Sequence, residues 1–354
     1  MRDSVTASPP GNTNHTQRYV ELLDVLPPEV RRNLRRRSQP SWINPMLATL
    51  TDRRFSDPNW FFERKLDGER CLAFRTGTDV RLMSRNRLAI SSQYPEVVRA
   101  LATHPLCDAI LDGEIVAFDG DRTSFPRLQR RMHVSAPSPS LIRSSPVVYF
   151  VFDVPYACGY DLSRVGLRWR KRVLRELATF RRPLALSAHR TGRGEAYYAE
   201  ACSKGWEGLI AKRAESPYVG TRSQDWLKFK CVAEQEFVIG GYTDPQGNRA
   251  GFFGALLVGY YEDGRLVYAG KVGTGFDRQM LADLTRQLAA LEQGEPPFQA
   301  GQLPRKGVHW VRPKLVAEVG FNEWTEDGQL RHPRFLGLRM DKAADEVTRE
   351  KPQS

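Results

Sequence analysis

The chain has 354 residues, enough for two domains of ordinary size with a core in each. Its 53 lysines and arginines outweigh 41 acids, a formal charge of +12 with a pI near 9.6, which points to a polyanionic partner, most simply nucleic acid. No stretch approaches the ~20 apolar residues of a transmembrane helix, and no apolar run follows the N-terminal charges, so neither a membrane span nor a secretory leader is expected. The five cysteines (Cys71, Cys107, Cys158, Cys202, Cys231) are odd in number, widely scattered and never spaced C-x-x-C. That predicts reduced thiols in a cytoplasmic compartment rather than a disulfide framework or a zinc module.

Residues 1–41 read as a basic, flexible extension. Ser4 to Gln17 is polar, with Pro9, Pro10 and Gly11, a composition that does not pack. Tyr19 to Leu26 suits a short helix ended by Pro27-Pro28. Arg31, Arg32, Arg35, Arg36 and Arg37 follow closely, either an arm for phosphates or a solvated face. Residues 42–231 then read as mixed α/β. Strands are predicted at Cys71–Arg75, Val80–Met83, Ala109–Phe118, Val147–Val154, Gly208–Lys212 and Trp226–Lys230. Helices are predicted at Tyr94–Ala102 and Arg168–Leu177, with a Ser- and Pro-rich loop over Ala136–Ser145. Residues 232–345 turn mostly to β: a strand Phe237–Gly241, then a hairpin turning at Glu262-Asp263-Gly264. A helix over Asp277–Leu291 and a strand over Val316–Trp324 follow. Several short strands with one helix suit an OB-type barrel, and residues 346–354 read as a tail.

The chemistry begins at Lys65-Leu66-Asp67-Gly68-Glu69-Arg70, just after the apolar run Trp60-Phe61-Phe62. A lysine becomes a nucleophile when burial or neighbouring cations lower its pKa. Alone, the hexamer reads equally well as an ordinary hairpin turn. Further along stand Leu111-Asp112-Gly113-Glu114-Ile115-Val116, Tyr149-Phe150-Val151-Phe152-Asp153-Val154 and Glu207-Gly208-Leu209-Ile210-Ala211-Lys212. Trp226-Leu227-Lys228-Phe229-Lys230 and Arg339-Met340-Asp341-Lys342 complete the series. Each has a bland reading: turn acids for Glu114 and Glu207, a core aromatic for Phe152, a solvent-facing strand for Lys228 and Lys230, a charged tail for the last.

In this order the segments resemble motifs I, III, IIIa, IV, V and VI of the covalent nucleotidyltransferases, which include ATP-dependent DNA ligases, RNA ligases and mRNA capping enzymes. The resemblance runs from Pro45 to Lys342. It implies a nucleotidyltransferase (adenylation) domain of mixed sheets followed by an OB-fold barrel, an α/β plus β fold. It also implies Lys65 as the nucleophile that forms lysyl-AMP from ATP. Lys228 and Lys230, on one side of a strand, would clamp the α-phosphate and depress the Lys65 pKa. Glu207 and Glu114 would hold Mg2+, with Mn2+ as a substitute, and Glu114 would also serve the ribose. Phe152 resembles the aromatic that stacks on adenine, Glu63 the acid that accepts from its amino group, and Arg70 the ribose contact. Ser84-Arg85-Asn86 looks like motif Ia, whose Arg85 meets nucleotide or the nicked strand; Arg222 is placed to hold a phosphate. Arg339, Asp341 and Lys342 would reach the pyrophosphate only when the second domain closes, about a hinge near Cys231–Gln235.

Ile43-Asn44-Pro45-Met46-Leu47-Ala48, Arg331-His332-Pro333 and Gly337-Leu338-Arg339 closely resemble the ligase domain of bacterial end-joining DNA ligases. The resemblance implies a monomeric enzyme on nicked or broken duplex DNA, in the nucleoid, beside a Ku-type end-binding protein and a separate polymerase or nuclease. The alternatives are an RNA ligase or a capping-type guanylyltransferase and, from another class, a nucleic-acid-binding module without catalysis.

Overall fold

The computed structural model describes residues 24–351, except 133, 178–179, 232, 246–250 and 341. Two sheets form the first domain. One has eight strands, with the path Arg35–Arg36, Tyr160–Asp161, Val147–Ala157, Ala109–Asp119, Glu69–Thr76, Asp79–Ser84. The other has five, ordered His189–Thr191, Trp60–Lys65, Gly208–Arg213, Arg222–Lys230, Leu47–Leu50. A seven-stranded sheet with the helix Arg278–Ala289 forms the second domain, the predicted OB-type unit. Each domain has its own apolar core.

Local chemistry explains the elements. The hairpin Leu256–Glu262 to Arg265–Val272 turns at Asp263 and Gly264, both at positive φ, which a two-residue turn of this hand requires. Asp277 caps the helix Arg278–Ala289 by accepting the Met280 N–H at 2.8 Å, and Leu281, Leu284 and Leu288 bury one face. The predicted strands and the helices at Pro95–Thr103 and Leu167–Leu177 stand within a residue or two of expectation at most ends.

Four expectations change. The segment Ala136–Ser145 is not all loop: Pro139–Ser144 is helical, because Ser138 caps it by accepting the Leu141 N–H and Pro139 begins it. Cysteines distant in sequence meet through the sheets: Cys107 bonds Cys158 across 51 residues and Cys202 bonds Cys231 across 29, with Cα atoms 5.2 Å apart in each pair. Cys71 alone is free and buried among the described residues. The expectation of unpaired, reduced cysteines is therefore corrected, and it lends no support to a compartment.

The expected flexible extension is packed wherever it is described. Leu26 and Val30 sit in the first domain's core, the helix Pro28–Arg31 follows two prolines, and Arg35–Arg36 pairs antiparallel with Tyr160–Asp161. Ser4–Gln17 and most of the helix expected at Tyr19–Leu26 lie outside the described residues. The expected C-terminal tail is packed as well. Val347 is fully buried in the barrel core and its carbonyl accepts the Tyr261 N–H at 2.7 Å. Among the described residues no helix is long and apolar enough to cross a membrane.

Because Leu26 is fully buried, Leu26→Ala is expected to destabilise the first domain by about 2–5 kcal/mol in urea unfolding. A change below about 0.5 kcal/mol would return this segment to a loosely attached arm.

Candidate active site

Lys65 ends the strand Trp60–Lys65 of the five-stranded sheet, and Glu69 begins a strand of the eight-stranded one. The hexamer is therefore no hairpin. Its three-residue link crosses from one sheet to the other, leaving Lys65 where they diverge. Gly68 is required there by crowding: a Cβ would lie 2.2 Å from the Ile115 carbonyl oxygen.

The crevice is a cavity of about 210 Å³. Lys65, Glu63, Arg70, Arg85, Glu114, Phe152, Glu207, Arg222, Lys228, Lys230, Arg339 and Lys342 all line it. Asp341 lies outside the described residues. Period-two alternation does much of this work. Trp226, Lys228 and Lys230 face the cavity while Leu227 and Phe229 pack behind, and Ile210 and Lys212 face it from the neighbouring strand. Trp226, Ile210 and Lys212 were not singled out in the sequence, although the same alternation marks them.

At one end the Lys65 ammonium contacts the Glu207 carboxylate. Burial and then the Lys230 charge lower the Lys65 pKa below the ordinary lysine value of 10.5. Burial and Lys230 bring Lys228 down to about 8. Burial works against the charge on Lys230 too, but Glu350 and the barrel acids outweigh it and raise its pKa. Glu350 was assigned to a tail, yet it lies 2.5 Å from Lys228 and 3.1 Å from Lys230. Gln235 holds it there: its side-chain oxygen accepts the Glu350 N–H at 2.8 Å and its amide donates to the Thr348 carbonyl at 3.2 Å. Burial opposes ionisation of Glu350, but the two lysines hold its pKa at about 2.

The barrel already reaches the cavity. Arg339 pairs with Glu318 at 3.2 Å and Lys342 with Glu236 at 2.8 Å. Burial and Glu236 push Glu318 up to about 7. No local sequence signal marked these barrel acids, which come from separate strands.

At the other end Phe152 is 8% exposed, packed with Met46, Tyr218 and Trp226. Its core reading and its site reading coincide. The Arg70 guanidinium lies 4.6 Å and the Lys212 ammonium 4.1 Å from its ring centroid. Arg70 is fixed by two bonds of 2.6 Å to Asp112, whose carboxylate also accepts from Tyr218 at 2.7 Å. Glu63 is paired with Lys171 at 2.7 Å and Lys212 at 3.1 Å. Burial favours its neutral form, but the two lysines outweigh burial and keep its pKa below the usual range. Arg222 is exposed and donates to the Ala48 carbonyl at 2.5 Å.

Among the described residues no group of three or more metal-ligating side chains stands together. Glu207 nonetheless has a buried Oε2 without a hydrogen-bond partner, and Glu114 lines the same cavity. Two oxygen donors with an orphaned lone pair fit a hard cation whose remaining ligands come from water and a polyphosphate.

A domain of two diverging sheets with a buried lysine between them, met by an OB barrel that sends cations to that lysine, defines a covalent nucleotidyltransferase. Comparison with known proteins narrows the class. Residues 45–230 match the family profile of the ATP dependent DNA ligase domain, and residues 249–342 that of the ATP dependent DNA ligase C terminal region. The chain is 39% identical over 321 residues to the multifunctional non-homologous end joining protein LigD of Pseudomonas aeruginosa, covering 88% of this chain and 37% of that protein. It is 33% identical over 295 residues to a DNA ligase of Methanoculleus marisnigri, covering 80% of this chain and 52% of that one. The structure of a mycobacterial DNA ligase D complexed with ATP and MES superposes with a TM-score of 0.65 at 37% identity, over 87% of this chain and 98% of that one. The chain belongs to the ATP-dependent DNA ligase family. It spans about two fifths of the length of the LigD proteins it matches.

Glu350 sits where an anionic group would meet Lys228 and Lys230, so Glu350→Gln is expected to lower the half-saturating ATP concentration for self-adenylylation about fivefold, as two charge-assisted bonds cease to compete. An unchanged or higher value would show that Glu350 does not occupy the phosphate position.

Proposed function

We propose that this chain seals 5′-phosphate/3′-hydroxyl breaks in duplex DNA with ATP, through lysyl-AMP and DNA-adenylate intermediates. The observation that carries the proposal is Lys65: a lysine buried at a sheet junction, its pKa lowered by burial and Lys230, in a cavity that also gathers the other described motif residues.

In the first step the neutral Lys65 Nζ attacks the α-phosphorus of ATP. The bond to the β-phosphate breaks and pyrophosphate leaves. Lys228 and Lys230 stabilise the charge that develops on the α-phosphoryl oxygens, and Arg339 and Lys342 that on the departing pyrophosphate. Phe152 stacks on the base, Glu63 accepts from the adenine amino group, and Arg70, set by Asp112, meets the ribose. Glu207 and Glu114 would hold Mg2+, or Mn2+ in its place, which would neutralise phosphate charge. In the second step a DNA 5′-phosphate oxygen attacks the lysyl-AMP phosphorus and the P–N bond breaks. In the third, the 3′-hydroxyl attacks the 5′-phosphate and AMP leaves. Arg85, Arg222 and the exposed Arg35 and Arg36 offer phosphate contacts along the way.

The likeness to LigD proteins supports a role in end joining, beside a Ku-type partner and a separate repair polymerase or nuclease. A genomic substrate would place the enzyme at the nucleoid. The described surface supports action as a monomer on one break.

The first test is incubation with Mg2+ and labelled ATP or GTP, a denaturing gel, and a chase with nicked duplex. Label from ATP that leaves the protein as nicks seal is the expected result. Label from GTP would shift the reading to capping chemistry, and no label from either would remove catalysis. Lys65→Ala should abolish labelling. Arg339→Ala or Lys342→Ala should slow labelling by about tenfold or more, yet leave sealing of a pre-adenylated nick within about twofold, because pyrophosphate is absent from that step. Equal losses in both steps would refute the pyrophosphate role. Because only neutral Lys65 attacks, a lowered pKa means that labelling rises with pH and levels off below 10.5. A rise that continues past that value would argue against an activated lysine.

A further inference from the structure

The short helix Phe125–Gln129 touches the two halves of the site at once. At its start the Phe125 N–H donates to the Asp67 carboxylate at 3.3 Å, two residues beyond Lys65. The Asp67 N–H in turn donates to Thr123 Oγ1 at 3.3 Å, so the link that carries the nucleophile is tied to the approach to this helix. Phe125 and Leu128 are buried in the first domain's core and fix the helix in place. At its end Gln129 turns to the barrel. Its side-chain amide donates to the Leu338 carbonyl at 2.8 Å, one residue before Arg339. The Gln129 amide also lies flat against Gly337: a Cβ there would sit 2.7 Å from Gln129 Oε1. Beside them the Arg339 guanidinium lies 4.9 Å from the Phe125 ring centroid. Gln129 itself is not among the residues lining the cavity.

We propose that Gln129 is a positioning residue for lysine adenylylation, a latch that holds the barrel strand Arg334–Leu338 against the helix Phe125–Gln129 and so keeps Arg339 in the nucleotide cavity. The inference rests on the ligase reading above and adds to it the group that selects the closed domain arrangement. One side-chain hydrogen bond is a small increment, which suits the role: the latch biases the arrangement without locking it. Closure is needed only while pyrophosphate is present, so the latch serves the first step and not the sealing of DNA that is already adenylated.

Gly337 makes the proposal sharp. Its φ is not in the left-handed region, so alanine is tolerated by the backbone. An added methyl meets only the far end of the Gln129 side chain. Gly337→Ala should therefore act by pushing that amide off the Leu338 carbonyl, the same loss that Gln129→Ala causes directly. Each single variant should slow self-adenylylation from ATP about threefold to tenfold, the worth of one such bond. The double variant should be no slower than either single one, since the two changes remove one shared contact. Sealing of a pre-adenylated nick should stay within about twofold, and the thermal midpoint within about 2 °C, of the parent chain. A merely structural role would move the midpoint and both steps together.

The experiment is single-turnover labelling of the full chain with ATP, with the two single variants, the double variant and the pre-adenylated nick run in parallel. The expected result is a loss confined to labelling and not additive in the double variant. Labelling of Gln129→Ala at the parent rate, additive losses in the double variant, or equal losses in both steps would each overturn the latch and leave the ligase reading intact. A parent chain that takes no label from ATP would overturn the ligase reading and the latch with it.

Discussion

A buried lysine among other cations is costly, and the rest of the site follows from how that cost is met. Lys65, Lys228, Lys230, Arg339 and Lys342 line one cavity, and without counter-charge they would repel one another and the fold that holds them. The first domain supplies Glu207 against Lys65. The second supplies the remainder: Glu350 against Lys228 and Lys230, Glu236 against Lys342, Glu318 against Arg339. Carboxylates do not attack phosphorus here and do not leave; they stand where phosphate oxygens would stand. The barrel thus neutralises the cavity when it is free of nucleotide, and contributes cations to it when nucleotide is bound.

The same constraint accounts for the placement of side chains on strands. Electrostatic stabilisation works when dipoles and charges are set before the reaction, so that little reorganisation is needed. Paired strands give that rigidity, and alternation sends Trp226, Lys228 and Lys230 to one side from a continuous backbone. Asp112 plays the corresponding part for Arg70. Its two bonds fix the guanidinium plane, and Tyr218 fixes Asp112.

Much of this was legible from local pattern. The strands, the capped helix at Arg278 and the acidic glycine hairpin follow from periodicity and turn chemistry, which need no knowledge of the rest of the chain. The order of short motifs assembled the site, and the described members of that set meet in one cavity. Legibility failed where distant segments set the outcome. Nothing near Cys107 announces Cys158, because the bond depends on where two strand ends come to rest. Nothing near Glu350 announces Lys228, because Gln235 sets the path of the last described residues. Composition made the segment from Asp24 look loose, while two apolar side chains, Leu26 and Val30, were enough to seat it in the core. The hexamer at Lys65 was ambiguous for a similar reason: hairpin and sheet crossing share the same residues, and only the sheet assignment of Glu69 decides between them.

Reversibility sets a last requirement. A barrel that covers Lys65 for adenylylation must move aside before a duplex can approach the lysyl-AMP. An extensive apolar interface would hold the closed arrangement too firmly, at about 25 cal/mol for each Å² buried. The contacts that join the two domains at the cavity are instead polar or single: the Gln129 amide to one carbonyl, Arg339 over one ring, Glu350 between two lysines. Each exchanges readily for water or phosphate. The contact that Glu350 makes is also one that an incoming nucleotide would displace. Binding and domain position are therefore linked by construction, since whatever takes the lysines from Glu350 alters what tethers the barrel. Once pyrophosphate has gone, Arg339 and Lys342 have no phosphate to hold them inward, and only weak contacts resist opening.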